Sequence, residues 1–103
     1  MACVTKELVD EDEVIMIDIP QDKSGFVSVQ YGTGGQGTLV LEGTVDYETW
    51  VAIEMQDEHG GTVASLTAAG IAHQRTFALE AVRVRKSVGG GGPVLASLSW
   101  AKA

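Results

Sequence analysis

The sequence predicts an all-β domain: an antiparallel β-sandwich of about eight strands, for which a jelly roll is one arrangement. Apolar and polar residues alternate along short segments, and turn-forming residues follow each segment within about 8–12 positions. Two glycine-rich segments, 32–37 and 89–92, separate such runs. No stretch of about 12 residues or more carries a helical period, and no succession of strands and helices indicates a parallel sheet.

The alternation locates the strands and the side chains that face the core. The predicted strands are residues 14–19, 26–31, 38–46, 50–55, 62–68, 71–79, 81–88 and 94–100. The segment 62–69 is the least clear, because its Ala and Leu residues would also suit a helical turn. The residues expected in the core are Val27, Val29, Leu39, Leu41, Val45, Ile53, Val82, Val84 and Leu98.

The charge of the chain is negative and concentrated at one end. The 103 residues suit one domain and carry a net charge of −7. Residues 1–24 hold seven acidic and two basic residues, a charge of −5, which leaves −2 for the other 79. Nucleic acid is a poor partner for such a chain, because phosphates are neutralised by clustered Lys and Arg. No apolar run is long enough to span a membrane, and no secretory signal precedes the first strand, so synthesis in a cytoplasm is expected.

Residues 1–13 are predicted to form an acidic N-terminal arm ahead of a sandwich domain that spans residues 14–103. The segment shows no strand period. It also lacks the ligand spacing of calcium-binding loops. Such an arm is solvated or becomes ordered against a basic partner. Its acidic residues are Glu7, Asp10, Glu11, Asp12 and Glu13.

The glycine-rich segment 32–37, G-T-G-G-Q-G, matches the dinucleotide-binding pattern GxGxxG. That pattern needs a helix after it, so that helical N–H groups meet the pyrophosphate, but a predicted strand follows here. The second glycine-rich segment, 89–92, lacks the Gly-Lys-Ser/Thr ending of a phosphate-binding loop. Both segments are therefore interpreted as strand connections, and no cofactor is expected.

Residues that could carry catalysis do not form a recognisable set. Cys3 is the single cysteine, and no local pattern links it to His59 or His73. The two histidines come without the further ligands of a zinc site. No carboxylate pair, nucleophile–base pair or metal set is apparent, so no catalytic or metal residue is assigned and an enzyme is not expected.

The basic and aromatic residues are the remaining candidates for function. Arg83 and Arg85 share one face of the predicted strand 81–88. They form either a solvated outer face or a basic patch that meets carboxylates, of the chain's own arm or of a neighbour. Trp50 and the other large aromatics suit a core or an interface, and less often a sugar-stacking platform. The candidate interaction residues are Glu7, Asp10, Glu11, Asp12, Glu13, Arg83, Arg85 and Trp50.

One stretch of the chain resembles a recurring type of small β-sandwich protein in tailed bacteriophages. Residues 38–53 read T-L-V-L-E-G-T-V-D-Y-E-T-W-V-A-I, and residues 82–85 read V-R-V-R. In those proteins a strand of the form L-x-x-E-G-[ST]-x-D leads through a short turn to W-x-x-[IL], and a V-R-V-R strand follows later. The resemblance covers residues 26–100. Tyr47 and Glu48 depart from it, because the pattern has a glycine in that turn.

The resemblance implies a non-enzymatic component of the phage particle. The implied role is a capsid decoration (cement) protein on the outer shell, bound to the major capsid protein or other virion proteins and assembled as a homotrimer. A neck, tail or fibre accessory protein, or a glycan-binding module, is the alternative. The implied location is the virion, after synthesis in the host cytoplasm.

Overall fold

The computed structural model describes residues 2–20, 24–88 and 92–102. Every regular element in these ranges is a β-strand, and all pairings are antiparallel. The strands are β1 (Ala2–Leu8), β2 (Val14–Asp18), β3 (Gly25–Tyr31), β4 (Thr38–Thr44), β5 (Val51–Ala52), β6 (Met55–Asp57), β7 (Thr62–Val63), β8 (Gly70–Thr76), β9 (Ala81–Val88) and β10 (Val94–Lys102). The predicted all-β antiparallel sandwich is confirmed.

Two sheets form the sandwich, and their strand order is that of a jelly roll. The six-stranded sheet has the order β1-β10-β3-β8-β6-β7, and the four-stranded sheet has the order β2-β9-β4-β5. Strand β1 therefore pairs with β10, β2 with β9, β3 with β8, and β4 with β5. This nested pairing is what a long antiparallel ribbon gives when it folds over itself. Strands β6 and β7 extend the larger sheet beyond the eight strands of the ribbon.

The core lies between the sheets and is built by alternate residues of each strand. Seven of the nine predicted core residues are buried, and Ile53 packs against them from a partly buried position. Val45 is the exception, with 65% of its surface exposed. Strand β4 ends one residue earlier, where the Thr44 hydroxyl accepts hydrogen bonds from the backbone N–H groups of Asp46 and Tyr47. The alternation of the sequence thus continues past the end of the strand.

The N-terminal segment differs from the expected arm. Strand β1 pairs with β10 along its whole length, from Ala2 opposite Trp100 to Leu8 opposite Val94. Leu8 is fully buried. The strand escaped detection because Lys6, with a side chain 55% exposed, interrupts the apolar positions of its inner face. Within residues 2–13, only residues 9–13 form a connection, so this segment belongs to the sandwich.

Lys86 lies inside the sandwich, on the same face of β9 as the core valines. Its side chain is fully buried. The ammonium Nζ donates hydrogen bonds to the carbonyl oxygen of Val9, at 2.7 Å, and to that of Gly92. Its backbone N–H donates to Glu13 O at 3.0 Å, and its carbonyl accepts from Asp12 N at 2.8 Å. Lys86 therefore joins the β1–β2 connection to the residues that precede β10.

Replacing Lys86 by methionine keeps the length of the side chain but removes its charge and donors. We expect the free energy of unfolding to fall by about 1–3 kcal/mol, because the carbonyls of Val9 and Gly92 lose their donor. Urea denaturation at pH 7 measures the change. Lys6→Met is the control, because an exposed ion pair such as that of Lys6 contributes at most about 1 kcal/mol. Equal stability of Lys86→Met and wild type would contradict the expectation.

Candidate interaction surfaces

The outer face of the four-stranded sheet carries a charge network. Arg83 and Arg85 project from β9 toward Glu42 on the neighbouring β4. Arg83 Nε lies 2.7 Å from Glu42 Oε1, and Arg85 contacts both oxygens of the same carboxylate at 3.2 Å. Arg85 Nη1 also lies 2.9 Å from Asp12 Oδ1. The predicted basic patch therefore meets carboxylates of its own chain, one of which comes from the acidic N-terminal segment.

Trp50 belongs to the same network. The guanidinium carbon of Arg83 lies 4.2 Å from the centre of the indole, which is a cation–π distance. One face of the half-buried Trp50 ring is thus covered by a side chain of the protein. Tyr31 and Trp100 lie in the core, where Trp100 Nε1 donates to Thr76 Oγ1 at 2.9 Å. These three aromatics do not combine into the sugar-stacking platform considered from the sequence.

The other predicted interaction residues lie apart from the network. Glu13 pairs with Lys6 at 3.3 Å, and its Oε1 accepts hydrogen bonds from the backbone N–H groups of Val9 and Asp10. These bonds to the backbone lower the pKa of Glu13. Glu7, Asp10 and Glu11 have exposed side chains. The structure therefore brings together Asp12, Arg83, Arg85 and Trp50, and adds Glu42, which sequence reasoning did not single out.

The pKa of Glu42 is lowered by its two arginine partners. Burial of the carboxylate by itself raises the pKa, but the hydrogen bonds and charges of Arg85 and Arg83 outweigh that effect. Because the pKa is lower in the folded protein, the network stabilises the fold above the ordinary glutamate value of 4.5. This contribution is lost as the pH falls through the lowered pKa of Glu42.

Glu42→Gln tests this linkage. At pH 7 we expect the variant to be less stable than wild type by about 1–3 kcal/mol, because Arg83 and Arg85 lose the carboxylate charge with which both are paired. The difference should shrink as the pH falls below 4.5 and through the lowered pKa of Glu42, because the protonated wild-type carboxyl group resembles the amide. Denaturation curves at pH 7, 5 and 3 measure it, with the exposed Glu11→Gln as control. A difference that does not change with pH would contradict the assignment.

Exposed hydrophobic side chains concentrate at one end of the sandwich, which we call the apolar end. It is formed by the β4–β5 and β8–β9 connections and by the adjoining ends of β2, β3, β5 and β8. Of the nine exposed large hydrophobic residues in the described part of the chain, five lie here. They are Val45 at 65% exposure, Val51 and Phe77 at 62%, Tyr47 at 48% and Phe26 at 40%. This surface was not predicted from the alternation pattern, which placed Val45 in the core.

An apolar cleft of about 280 Å³ opens at this end. Its lining residues are Gly43, Thr44, Val45, Thr49, Val51, Ile53 and Leu79. A Cβ atom on Gly43 would lie 2.7 Å from Ile53 Cδ1 and 2.9 Å from Leu79 Cδ1, so glycine lets these side chains pack across the floor. The hydroxyl of Thr44 donates to Thr49 O at 2.7 Å and is therefore engaged within the loop.

The two loops beside the cleft are held in defined conformations. Tyr47 and Ala78 adopt positive φ angles of 63° and 53°, which side-chain-bearing residues rarely do. Asp46 Oδ1 accepts hydrogen bonds from Glu48 N and Thr49 N, both at 2.9 Å, and these bonds lower the pKa of Asp46. Strained conformations of this kind persist where the surrounding structure fixes them.

Tyr47 links the apolar end to nearby acidic residues. Its hydroxyl donates to Asp18 Oδ1 at 2.9 Å and lies 3.3 Å from the carbonyl oxygen of Glu80. The hydrogen bond to Asp18, with partial desolvation and the charges of Asp18 and Glu80, raises the pKa of Tyr47. The hydroxyl of Tyr47 therefore connects the β4–β5 loop to the end of β2 and to the residue before β9.

A second concave surface crosses the outer face of the six-stranded sheet, and we call it the hydroxyl trough. Its volume is about 460 Å³. Polar residues of adjacent strands lie opposite one another in register. The exposed Leu95 lies two residues before Ser97 on β10, and the exposed Phe26 lies two residues before Ser28 on β3. The lining carries no charged side chain. Its lining residues are Cys3, Thr5, Ser28, Val29, Gln30, Ile71, Ser97 and Ser99.

The comparisons with known proteins identify no relative. No family model, curated protein or solved structure matches the chain. Among residues 2–20, 24–88 and 92–102, no three or more His, Cys, Asp or Glu side chains are grouped to hold a metal ion. The same ranges contain no helix that is long and apolar enough to cross a membrane.

Proposed function

We propose that this protein is a non-enzymatic structural component of a phage particle, a decoration (cement) protein that attaches to the outer shell through its apolar end. The observation that carries the proposal is the concentration of exposed hydrophobic side chains around one cleft. The resemblance of residues 26–100 to small phage sandwich proteins is the reason for proposing a phage particle. In this role the partner is the major capsid protein or another virion protein, the assembly is a homotrimer and the location is the virion.

The apolar end has the physical character of a protein-binding surface. Contiguous exposed apolar groups are rare on proteins that act alone and typical of interaction sites. Arg75 lies 5.4 Å from the ring centre of Phe26 and 5.8 Å from that of Phe77, which extends the surface with a cation–π stack. Buried aromatic and arginine side chains contribute most to binding energy at interfaces. The loops are already ordered by their own hydrogen bonds, so less entropy is lost on binding.

The structure changes how attachment is expected to work. The sequence suggested that the acidic residues 1–13 would form an arm that becomes ordered against a basic partner. Because residues 2–8 form β1 and bury Leu8, they cannot leave the domain without opening its core. Attachment in our proposal therefore uses loops on a rigid sandwich.

Serine substitutions at the apolar end test the proposal. Particles assembled without this protein are mixed with purified Val45→Ser or Phe77→Ser protein, and bound protein is measured after sedimentation. We expect at least about tenfold weaker binding than wild type, because these side chains are buried on attachment. Ile71→Ser and Leu95→Ser are matched controls, since their side chains are 48% and 50% exposed on other surfaces.

Two results would contradict the proposal. One is absence of wild-type binding to such particles; the other is an equal effect of apolar-end and control substitutions. Imaging of the loaded particle separates the alternatives. Density on the shell supports decoration, whereas density confined to the neck or tail would favour an accessory protein.

Glycan binding is a second candidate function, favoured by the hydroxyl trough. Serine and threonine hydroxyls and the Gln30 amide both donate and accept hydrogen bonds, as sugar hydroxyls do. The uncharged lining suits a neutral ligand, and Ile71 and Phe26 offer apolar surface beside it. This surface replaces the aromatic platform that the sequence suggested around Tyr47 and Trp50.

An array of neutral oligosaccharides tests the second candidate. Wild-type protein should bind a subset of the array, and Ser28→Leu should abolish that binding, because the larger side chain fills the trough. Ser87→Leu is the matched control, since Ser87 lies on β9 of the other sheet. A blank array with wild-type protein, or an equal response to both variants, would count against glycan binding.

A further inference from the structure

We propose that the cleft at the apolar end receives one apolar side chain of a partner polypeptide whose neighbouring residues are basic. The inference rests on the proposed attachment function and names the chemistry of the segment that is bound. It follows from the size and lining of the cleft, from the charges around it and from the fixed shape of its loops.

The cleft has the size and polarity for a single side chain. Its volume of about 280 Å³ lies below the usual range for small-molecule sites, about 300–1,000 Å³. Val45, Val51 and Leu79 supply apolar walls. Thr44 uses its hydroxyl within the loop, so the cleft offers little hydrogen bonding to a ligand. An aliphatic or aromatic side chain gains most from such a site, through loss of exposed apolar area on both partners.

The charges around the cleft determine what flanks that side chain. The β4–β5 connection, which supplies Val45 and Thr49 to the cleft, contains two acidic residues and no basic residue. They are Asp46 and Glu48, and both are exposed. Arg83 is paired with Glu42, and Arg75 stacks on Phe26 and Phe77 and does not line the cleft. Lys or Arg beside the inserted side chain would complement these two carboxylates, whereas acidic neighbours would be repelled.

The same charges disfavour a second copy of this chain as the occupant. A copy that inserted Val45 would bring Asp46 and Glu48 of its own β4–β5 connection against the first. Like charges brought together in this way oppose association. A copy that inserted Phe77 would bring Arg75 with it, so self-association in sedimentation that Val51→Asp abolishes would identify the occupant as a second copy and overturn the inference.

The loops are shaped for this occupant before it binds. The left-handed conformations at Tyr47 and Ala78 are strained, and the surrounding folded structure holds both residues in them. Tyr47 follows the exposed Val45 by two positions, and Ala78 directly follows the exposed Phe77. Since the rim is already ordered, binding needs no refolding of these loops, and the affinity depends on the fit of the side chain.

Selection from a displayed library of random 12-residue peptides tests the inference with the whole protein as bait. We expect enriched peptides to hold one large apolar residue with Lys or Arg within three positions. Synthetic peptides should bind Val51→Asp at least tenfold more weakly than wild type. Gly43→Ala should weaken binding similarly, because the added methyl group pushes Ile53 and Leu79 into the cleft.

The charge requirement has its own test. Glu48→Gln should weaken binding of the same peptides about threefold and reduce its dependence on salt, because one charge of the rim is lost. Glu58→Gln, an exposed change outside the rim, is the control and should leave binding unchanged. Circular dichroism melts confirm that each variant is folded.

The outcomes separate this inference from the proposed function. Failure to enrich peptides, enrichment of acidic peptides, or binding insensitive to both Val51→Asp and Gly43→Ala would overturn the inference. Particle binding that such peptides do not compete would overturn it as well. Peptide binding that is weakened by Val51→Asp and Gly43→Ala, together with no binding to particles, would support the inference and reject the role as a decoration protein.

Discussion

The buried ammonium group of Lys86 fixes one end of the molecule, and a series of other contacts depends on it. By holding Val9 O and Gly92 O, it keeps the β1–β2 connection against β9. The backbone bonds of the same residue then place Asp12 beside Arg85. Arg85 and Arg83 in turn hold the carboxylate of Glu42. A lysine in the core is costly unless its donors are satisfied, and here the need to satisfy them organises a whole face of the smaller sheet.

The charged residues that looked functional stabilise the fold, and several apolar residues that looked structural lie on the surface. The charged residues that look functional in the sequence, Arg83, Arg85 and Asp12, are largely engaged with one another and with Glu42. Several apolar residues that look structural lie instead on the surface, around the cleft at the apolar end. The strongest electrostatic interactions therefore maintain the fold, while the exposed side chains of the apolar end lie outside the charge network.

Alternation along the chain was sufficient to predict the sandwich and most of its core, because buried strands place apolar residues at every second position. The alternation led to wrong predictions at two places, where the end of a strand or a single charged residue on its inner face changed the pattern. Val45 continues the pattern of β4 but follows the turn made by Thr44, and Lys6 hides an edge strand by interrupting its inner face. The apolar end was unpredictable for a related reason: its loops come together only through the nested pairing of distant strands. The charge network was predicted only in part: a contact between Arg85 and the acidic segment was considered from the sequence, but no role was assigned to Glu42.

The pairing of the first strand with the last has a consequence for how the protein is made. Ala2 lies opposite Trp100, so β1 cannot form its ladder until almost all of the sandwich has been synthesised. Strand β2 likewise waits for β9. Until β10 has emerged, the nascent chain exposes strand edges and apolar side chains that have no partner, which is the condition in which chains aggregate. The sandwich therefore closes only after its last strand has been synthesised, and the yield of folded protein will depend on what shields the nascent chain during that interval.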